Sequence, residues 1–295
     1  MSSSPTISPP VILSFAGSDP SGGAGIQADL LTIAAMGCHP LTVITAITVQ
    51  DTAGVEAIHV LDSDWVADQA RALLEDMPVA VFKIGMLGSL ENVAAIAEIV
   101  SDYPDIPLIL DPVLASGRGD EMAGEEIILA IKELLLPQTT VLTPNSVEAR
   151  RLAMFEAGED DDGSDPVADA EEEEDNPDLD ESARRLIELG AEYVLITGTH
   201  ENTPKVVNTL YGESGKRIRA DTWERLPGSY HGSGCTLASA IAASIANGLD
   251  VLDAVREAQE YTWNTLASGY RPGMGQYIPD RLFWARAGED DGGSK

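Results

Sequence analysis

The chain contains few basic residues, and lysine is the scarcer of the two. Its 295 residues include 18 Lys and Arg against 49 Asp and Glu, which gives a formal net charge of −31 at pH 7. Of the basic residues, 5 are Lys and 13 are Arg. Nucleic acids and anionic membranes bind proteins mainly through Lys and Arg that neutralise phosphate, so this composition argues against either as a partner.

The acidic excess extends over the whole chain. Residues 156–181 hold 15 acidic residues and no basic ones, but the chain without them would still carry −16. Such a surface is typical of adaptation to molar salt, where the Debye length shrinks to about 3 Å and repulsion between like charges is screened. We therefore expect a halophilic protein, with an acidic mesophilic protein as the alternative.

Cysteine is nearly absent, and so are long apolar runs. Cys38 and Cys235 form no C-x-x-C pair, which argues against a disulfide framework and against a zinc site. No apolar stretch reaches the ~18 residues of a membrane-spanning helix. The first ten residues are rich in Ser and Pro and uncharged, unlike a signal peptide. We therefore expect a cytoplasmic protein.

Short apolar runs alternate with helical patterns along most of the chain. This alternation predicts an α/β fold in which helices cover both faces of a mainly parallel central sheet. The predicted strands are residues 11–16, 41–49, 79–84, 108–110, 140–142 and 193–197. The predicted helices between and after them are residues 26–36, 65–75, 92–101, 125–135, 147–155 and 182–189. A hairpin (208–211 and 216–220) and two helices (235–247 and 251–268) follow.

We predict a single domain over residues 11–286, with a flexible N-terminus (1–10) and a flexible tail (287–295). Residues 156–180 are acidic and of low complexity, with too little apolar surface to fold, so we expect a disordered insertion there.

Polar and glycine-rich segments follow the predicted strands, at the edge where such sheets bind ligands. The loop at residues 17–25 lacks the Lys of a P-loop, and its G-x-G-x-x-A match lies too far behind the strand for a dinucleotide fingerprint. Asp111 follows another strand, and Asn145 and Glu148 follow the next. Magnesium takes one or two carboxylates together with phosphate oxygens, so these three are candidate metal ligands. Asn145 is also a candidate helix N-cap.

The segment at residues 231–236, His-Gly-Ser-Gly-Cys-Thr, leads directly into an apolar helical stretch. Its two glycines free the backbone, so that N–H groups can converge at the positive end of a helix and bind an anion. Cys235 falls in the first turn, where we expect its thiol pKa to drop from about 8.5 toward neutrality. The alternative is a closely packed turn with Cys235 as a small core residue.

Five motifs occur together: the glycine-rich stretch at 16–30, Lys-Ile-Gly-Met at 83–86, Asp-Pro-Val at 111–113, Thr-Pro-Asn at 143–145 with Glu148, and the segment at 231–236. In this order they resemble the hydroxymethylpyrimidine/phosphomethylpyrimidine kinases, the thiamine-biosynthesis members of the ribokinase-like superfamily. The resemblance covers residues 11–286 apart from the acidic insertion. It implies a three-layer α/β/α ribokinase-like fold and a homodimer. It also implies ATP- and Mg²⁺-dependent phosphorylation of 4-amino-5-hydroxymethyl-2-methylpyrimidine and then of its monophosphate.

The resemblance also implies roles for single residues. Cys235 would be the base for the substrate hydroxyl, and Gly232, Ser233 and Gly234 would hold the transferred phosphoryl group. The nucleotide would face Thr197, Gly198 and Arg118, and Asn145 and Glu148 match the family's magnesium motif. The pyrimidine would contact Gly17, Asp29, Gln50, Met86 and Val113.

Two departures from the family pattern concern cations. Thr197 stands where relatives have a Lys, and Ala115-Ser116-Gly117-Arg118 replaces the usual Lys-Ser-Gly. Arg118 is the candidate to compensate for one loss. The alternatives that these residues leave open are a pyridoxal/pyridoxine kinase and a non-catalytic pyrimidine sensor on the same fold.

Overall fold

The predicted mainly parallel sheet is confirmed in the computed structural model, which describes residues 8–115, 122–154 and 177–286. Within them, nine strands form one sheet in the order β3-β2-β1-β4-β5-β6-β7-β8-β9. Strands β2, β1, β4, β5, β6 and β7 are parallel, and β3, β8 and β9 add antiparallel edges. The strands are β1 (Val11–Ser18), β2 (His39–Gln50), β3 (Val55–Val60), β4 (Val79–Ile84), β5 (Leu108–Leu110), β6 (Val141–Leu142), β7 (Tyr193–Ile196), β8 (Lys205–Gly212) and β9 (Lys216–Glu224).

Helices cover both faces of the sheet and complete the three layers. The helices are α1 (Gly25–Ala35), α2 (Ser63–Asp76), α3 (Leu90–Ser101), α4 (Glu125–Ala130), α5 (Ser146–Met154), α6 (Leu179–Glu188), α7 (Ser233–Ala246), α8 (Val251–Ala267) and α9 (Phe283–Arg286). Apolar side chains of α1, α7 and α8 form one buried core with the sheet, and those of α2 to α6 form the other. Strand β5 is buried along its whole length, as its uninterrupted apolar sequence predicts.

Strand β3 and the helix predicted at 125–135 are two of the differences from the sequence prediction. Strand β3 was not predicted, because it lies at the sheet edge with most of its residues exposed and therefore lacks an apolar alternation. The helix predicted at 125–135 is α-helical only to Ala130 and continues as a π-helical turn over Ile131–Leu135.

The described residues include both ends of the predicted domain, residues 11 and 286. Residues 1–7 of the predicted flexible N-terminus, residues 156–176 of the acidic segment and the tail 287–295 lie outside the described residues, as does Phe155 at the end of a predicted helix. The last residues that we assigned to the insertion begin α6 instead: the side chain of Asp178 accepts a hydrogen bond from Glu181 N. Acidic side chains are favourable there because they cap the first turn and face the positive end of the helix. No helix within the described ranges is long and apolar enough to cross a membrane.

Candidate active site

Most of the predicted site residues line one cavity at the carboxyl edge of the parallel strands. The cavity, here called the first cavity, has a volume of about 190 Å³. The predicted residues that line it are Gly17, Gln50, Met86, Asp111, Val113, Asn145, Glu148, Thr197, Gly232, Ser233, Gly234 and Cys235. Asp29 and Gly198 are not among the lining residues, and Arg118 lies outside the described residues.

The N-terminus of α7 opens into this cavity. Thr236 N bonds to Gly232 O at 3.0 Å, so the N–H groups of Ser233, Gly234 and Cys235 precede the first hydrogen bond of the helix. Gly232 caps the helix with a left-handed φ of +78°, and a Cβ there would overlap the carbonyl oxygen of Gly23. Both the conformation and the contact require glycine. The backbone therefore has the geometry of an anion-binding site.

The first glycine loop, residues 17–25, is held in shape by the buried carboxylate of Asp19. This carboxylate accepts hydrogen bonds from Ser21 N at 2.8 Å and from Ala24 N at 2.6 Å, and it lies 2.9 Å from His231 Nε2. Burial alone would raise the pKa of Asp19, but the hydrogen bonds from His231, Ala24 and Ser21 outweigh it and hold that pKa below its usual value. An ionised Asp19 thus joins this loop to the second glycine loop, residues 231–235.

Arg281 makes a second connection between the two glycine loops. Its guanidinium is buried and donates to Gly23 O at 2.6 Å and to Thr236 Oγ1 at 3.0 Å. Burial lowers the pKa of Arg281, although the negative groups around it act in the opposite direction. No sequence signal identified this residue, because it belongs to the irregular C-terminal region and reaches the site only through the fold.

Asp29 lies behind the wall of the first cavity, where it binds Lys83. The two Lys83 Nζ–Asp29 contacts are 2.8 and 2.9 Å, and both side chains are fully buried. Asp29 also accepts hydrogen bonds from Ser14 Oγ at 2.7 Å and Ser239 Oγ at 2.8 Å. Both carboxylate oxygens of Asp29 accept hydrogen bonds from these donors, so Asp29 positions Lys83 rather than contacting a ligand. Lys83 itself lines the cavity. A single charged residue in the apolar strand β4 was the signal that could have identified Lys83.

The thiol of Cys235 has a pKa opposite to the one predicted. Burial raises the pKa of Cys235 to about 12, and the negative charges of Asp111 and Asp29 add to the increase while Lys83 opposes it. The prediction of a lowered pKa was wrong because it considered only the helix terminus. In the folded protein the thiol is also buried, and the carboxylates of two other elements lie close to it.

Asn145 and Glu148 cap α5 reciprocally. Asn145 Oδ1 accepts a hydrogen bond from Glu148 N at 3.0 Å, and Glu148 Oε2 accepts one from Asn145 N at 3.0 Å, which is the capping-box arrangement. The N-cap prediction for Asn145 is therefore confirmed. The cap leaves both side chains in the wall of the first cavity.

Asp111 and Glu148 are two buried carboxyls whose charges repel each other. Burial raises the pKa of Asp111 to about 6, with Lys83 opposing the increase. Burial and the charge of Asp111 raise the pKa of Glu148 to about 7, although three backbone N–H groups oppose it. A divalent cation would relieve this repulsion, so the pair suits one that also takes water and phosphate oxygens. The described residues contain no group of three or more His, Cys, Asp or Glu placed to hold a metal by themselves.

Gln50, Met86 and Val113 also line the first cavity. The amide nitrogen of Gln50 is 2.7 Å from His231 Nε2, which sequence reasoning did not single out. A Cβ at Gly17 would lie only 3.0 Å from Met86 Sδ, so glycine gives the thioether its room. Val113 has a φ of +41°, rare for a β-branched residue and typical of strained functional sites.

A second cavity of about 390 Å³ adjoins the first. The two share Thr197, Thr199, His200, Tyr230, Ser233, Gly234 and Leu237, so they meet at the N-terminus of α7. Trp223 and Trp263 line the second cavity, with their rings stacked at a centroid distance of 6.4 Å. No sequence motif predicts this cavity, because its residues come together only through the packing of β9 and α8.

Comparison with known proteins agrees with this geometry. The model of the family described as phosphomethylpyrimidine kinase matches residues 19–280. The chain belongs to this family. A hydroxymethylpyrimidine/phosphomethylpyrimidine kinase of Mycobacterium tuberculosis is 38% identical over 281 residues, which is 95% of this chain and 96% of the relative. The Escherichia coli protein of the same name is 34% identical over 86% of this chain and 90% of the relative.

Solved structures give the same fold. A phosphomethylpyrimidine kinase structure from Clostridium difficile matches with a TM-score of 0.68 and 32% identity, over 86% of this chain and 97% of that one. An ADP complex of Bacillus subtilis pyridoxal kinase matches with a TM-score of 0.80 and 26% identity, over 95% of this chain and all of that one. The phosphomethylpyrimidine kinase family and the pyridoxal kinases therefore share this architecture.

Proposed function

We propose that this protein is a kinase of thiamine biosynthesis. It transfers a phosphoryl group from ATP to the hydroxymethyl group of 4-amino-5-hydroxymethyl-2-methylpyrimidine and then phosphorylates the monophosphate to the diphosphate. The observation that carries the proposal is the meeting of two cavities at the unpaired N–H groups that begin α7, beside the thiol of Cys235. Membership of the phosphomethylpyrimidine kinase family supplies the substrate class.

The first cavity is proposed to hold the pyrimidine. Gln50 has both a donor and an acceptor, as recognition of an aminopyrimidine edge requires. Met86 and Val113 offer apolar contact to a flat ring, and Gly17 leaves room for the Met86 thioether. Asp29 acts indirectly in this proposal, since its carboxylate binds Lys83.

Cys235 is proposed to accept the proton of the substrate hydroxyl. Burial and the nearby carboxylates raise its pKa, so the resting thiol is protonated and can accept a proton only as the thiolate. Lys83 is the neighbouring charge that favours the thiolate, so its position beside the cavity belongs to the mechanism. Gly232, Ser233 and Gly234 direct backbone N–H groups at the group being transferred, where fixed donors stabilise developing charge at no reorganisation cost.

Asp111 and Glu148, with the side-chain amide of Asn145, are proposed to hold Mg²⁺. Bound there, the cation would neutralise charge on the phosphates of the nucleotide. The buried and mutually repelling carboxyls of Asp111 and Glu148 support this assignment.

The second cavity is proposed to hold the nucleotide. Thr197 lines both cavities and so faces the junction where the phosphates would lie. Gly198 stands beside it, with its N–H bonded to Asn208 Oδ1 at 3.1 Å. Binding of ADP and of AMP-PCP in structures of Staphylococcus aureus pyridoxal kinase supports use of ATP. Arg118 is proposed as a further nucleotide contact on the basis of the sequence alone.

Pyridoxal kinase is the second candidate function, because the pyridoxal kinases match this fold with TM-scores of 0.79 to 0.80. A non-catalytic pyrimidine sensor is the third, suggested by Thr197 in place of a lysine. The pyridoxal kinases are 26% to 28% identical to this chain, against 32% to 38% for the pyrimidine kinases, which favours the first function over pyridoxal kinase.

ADP release in the presence and absence of the pyrimidine tests the proposal against the sensor. The kinase releases ADP in proportion to the pyrimidine consumed, and mass spectrometry finds the monophosphate and then the diphosphate. Binding of the pyrimidine without ADP release would support the sensor instead. The assay is best run over a range of KCl concentrations, since the net charge of −31 leads us to propose salt adaptation.

A cytoplasmic location and a homodimer are further proposals, taken from the sequence and the family resemblance.

A further inference from the structure

The second cavity is poor in positive charge. Among the described residues that line it, Arg225 is the one Lys or Arg. A nucleotide di- or triphosphate carries several negative charges, and the protein as a whole is strongly acidic. A polyphosphate extending from the N-terminus of α7 into this cavity therefore meets one guanidinium.

Arg225 is hydrogen-bonded to the backbone of residues 199–203, a segment whose first two residues line both cavities. Its Nη1, Nη2 and Nε atoms donate to the carbonyl oxygens of Thr199 at 2.8 Å, Glu201 at 2.9 Å and Thr203 at 3.1 Å. Hydrogen bonds from a charged donor are about twice as strong as neutral ones. The guanidinium has five N–H donors, so these three bonds leave two for a ligand.

The segment that Arg225 holds also carries groups that face the proposed nucleotide. Thr199 and His200 line both cavities. The far side of the segment is tied to α5 by the ion pair of Glu201 with Arg150 at 2.9 Å. Residues 199–203 are therefore held by Arg225 at the end of β9 and by Arg150 on α5.

We propose that Arg225 is the nucleotide-positioning residue of this protein: it holds residues 199–203 against the second cavity and provides positive charge for the polyphosphate. The inference rests on the proposed assignment of the second cavity to the nucleotide. This role explains how the chain can bind a polyphosphate although Thr197 replaces a lysine at the junction of the cavities. The positive charge comes instead from Arg225, which directly follows β9.

Comparing the binding of ADP with that of adenosine separates the charge that Arg225 provides for the polyphosphate from its positioning of residues 199–203. Fluorescence of Trp223 and Trp263, which line the second cavity, reports both ligands without turnover. We expect Arg225→Ala to weaken ADP binding by about tenfold or more, the usual effect of losing a charged hydrogen bond. Adenosine binding should fall by less, since only the position of residues 199–203 changes. Arg225→Lys should recover part of the ADP affinity, because it restores charge without the three carbonyl contacts.

Arg217→Ala is the matched control. Arg217 lies on β9 and pairs with the exposed Asp180, away from both cavities, so its loss should leave ADP affinity within about twofold, as expected for an exposed ion pair. In turnover, Arg225→Ala should raise KM for ATP more than KM for the pyrimidine, because Thr199 and His200 also line the first cavity.

The proposal is overturned if Arg225→Ala binds ADP as the parent does, or if ADP and adenosine lose affinity equally. Failure of the proposed function has a different signature. In that case the parent protein binds ADP through Arg225 and releases no product from the pyrimidine.

Discussion

The two cavities are built in different ways. The first is enclosed by strand ends and two glycine loops. The Asp19–His231 contact and the bond from Arg281 to Gly23 O connect the two loops, and the buried pair of Asp29 and Lys83 lies behind the wall. The second is bounded by a hairpin and α8, and its one Lys or Arg among the described lining residues, Arg225, is exposed. Changes around the first cavity should therefore affect both folding and chemistry, whereas changes at residues that line only the second should act mainly on nucleotide binding.

The largest expected effect is that of Cys235→Ala, at the junction of the cavities. Loss of a general base costs about 10²–10⁴ in rate, so kcat should fall by at least about 100-fold while ADP affinity stays unchanged. Cys38→Ala is the control, because Cys38 is buried beside Ala243 and away from the site. Steady-state kinetics of the two variants give the comparison, and full activity of Cys235→Ala would remove it as the base.

The buried pair Lys83–Asp29 should matter most for stability. Lys83→Met leaves the Asp29 carboxylate without a cation in a fully buried position, at a cost of about 3–5 kcal/mol in the free energy of unfolding. Adding Asp29→Asn should recover most of that loss, since no buried charge remains. Urea unfolding measures both variants.

The kcat of the same double variant shows whether Lys83 serves only the stability of the fold or also acts on Cys235. If Lys83 also acts on Cys235, the refolded double variant stays slow although its stability returns. Recovery of both stability and kcat would mean that the pair serves the fold only.

A pair of glycines tests the contact between the two glycine loops. Gly232→Ala forces a left-handed conformation and a clash with Gly23 O, whereas Gly248→Ala at the end of α7 meets open space at a φ of +97°. The control should lose about 1 kcal/mol from conformation alone. Gly232→Ala should lose clearly more and should also lose activity. Equal losses in thermal unfolding would contradict the close contact.

A smaller effect is expected from pH. The folded state raises the pKa of Glu148 from 4.5 to about 7, so it holds the proton more tightly than the unfolded chain. This contribution to stability is full below about pH 4.5 and is lost as the pH rises through 7. Asp111 acts in the same direction, up to about pH 6.

Glu148→Gln should therefore flatten the decline in unfolding free energy between pH 5 and 8, measured without divalent cations. The exposed Glu133→Gln serves as the control and should leave the profile unchanged. A parent protein whose stability rises over this interval would contradict the assignment.

Sequence reasoning placed the strand ends and the motif residues of the first cavity well, because local patterns specify both. Gln50, Met86, Asp111 and Cys235 all line it as expected. The groups that were missed act through tertiary contacts: Arg281 reaches the glycine loops from the other end of the chain, and Arg225 binds a segment that precedes its own hairpin. The direction of the Cys235 pKa failed for the same reason, since its neighbours Asp111 and Asp29 come from other elements.

The most direct test of the account compares kcat/KM for 4-amino-5-hydroxymethyl-2-methylpyrimidine and for pyridoxal, with ADP release and product mass measured side by side. If Gln50 and the buried connections around it shape the first cavity for an aminopyrimidine, the pyrimidine should be preferred by at least about tenfold, the worth of one good hydrogen bond. An equal or greater kcat/KM for pyridoxal would contradict that assignment and with it the central claim.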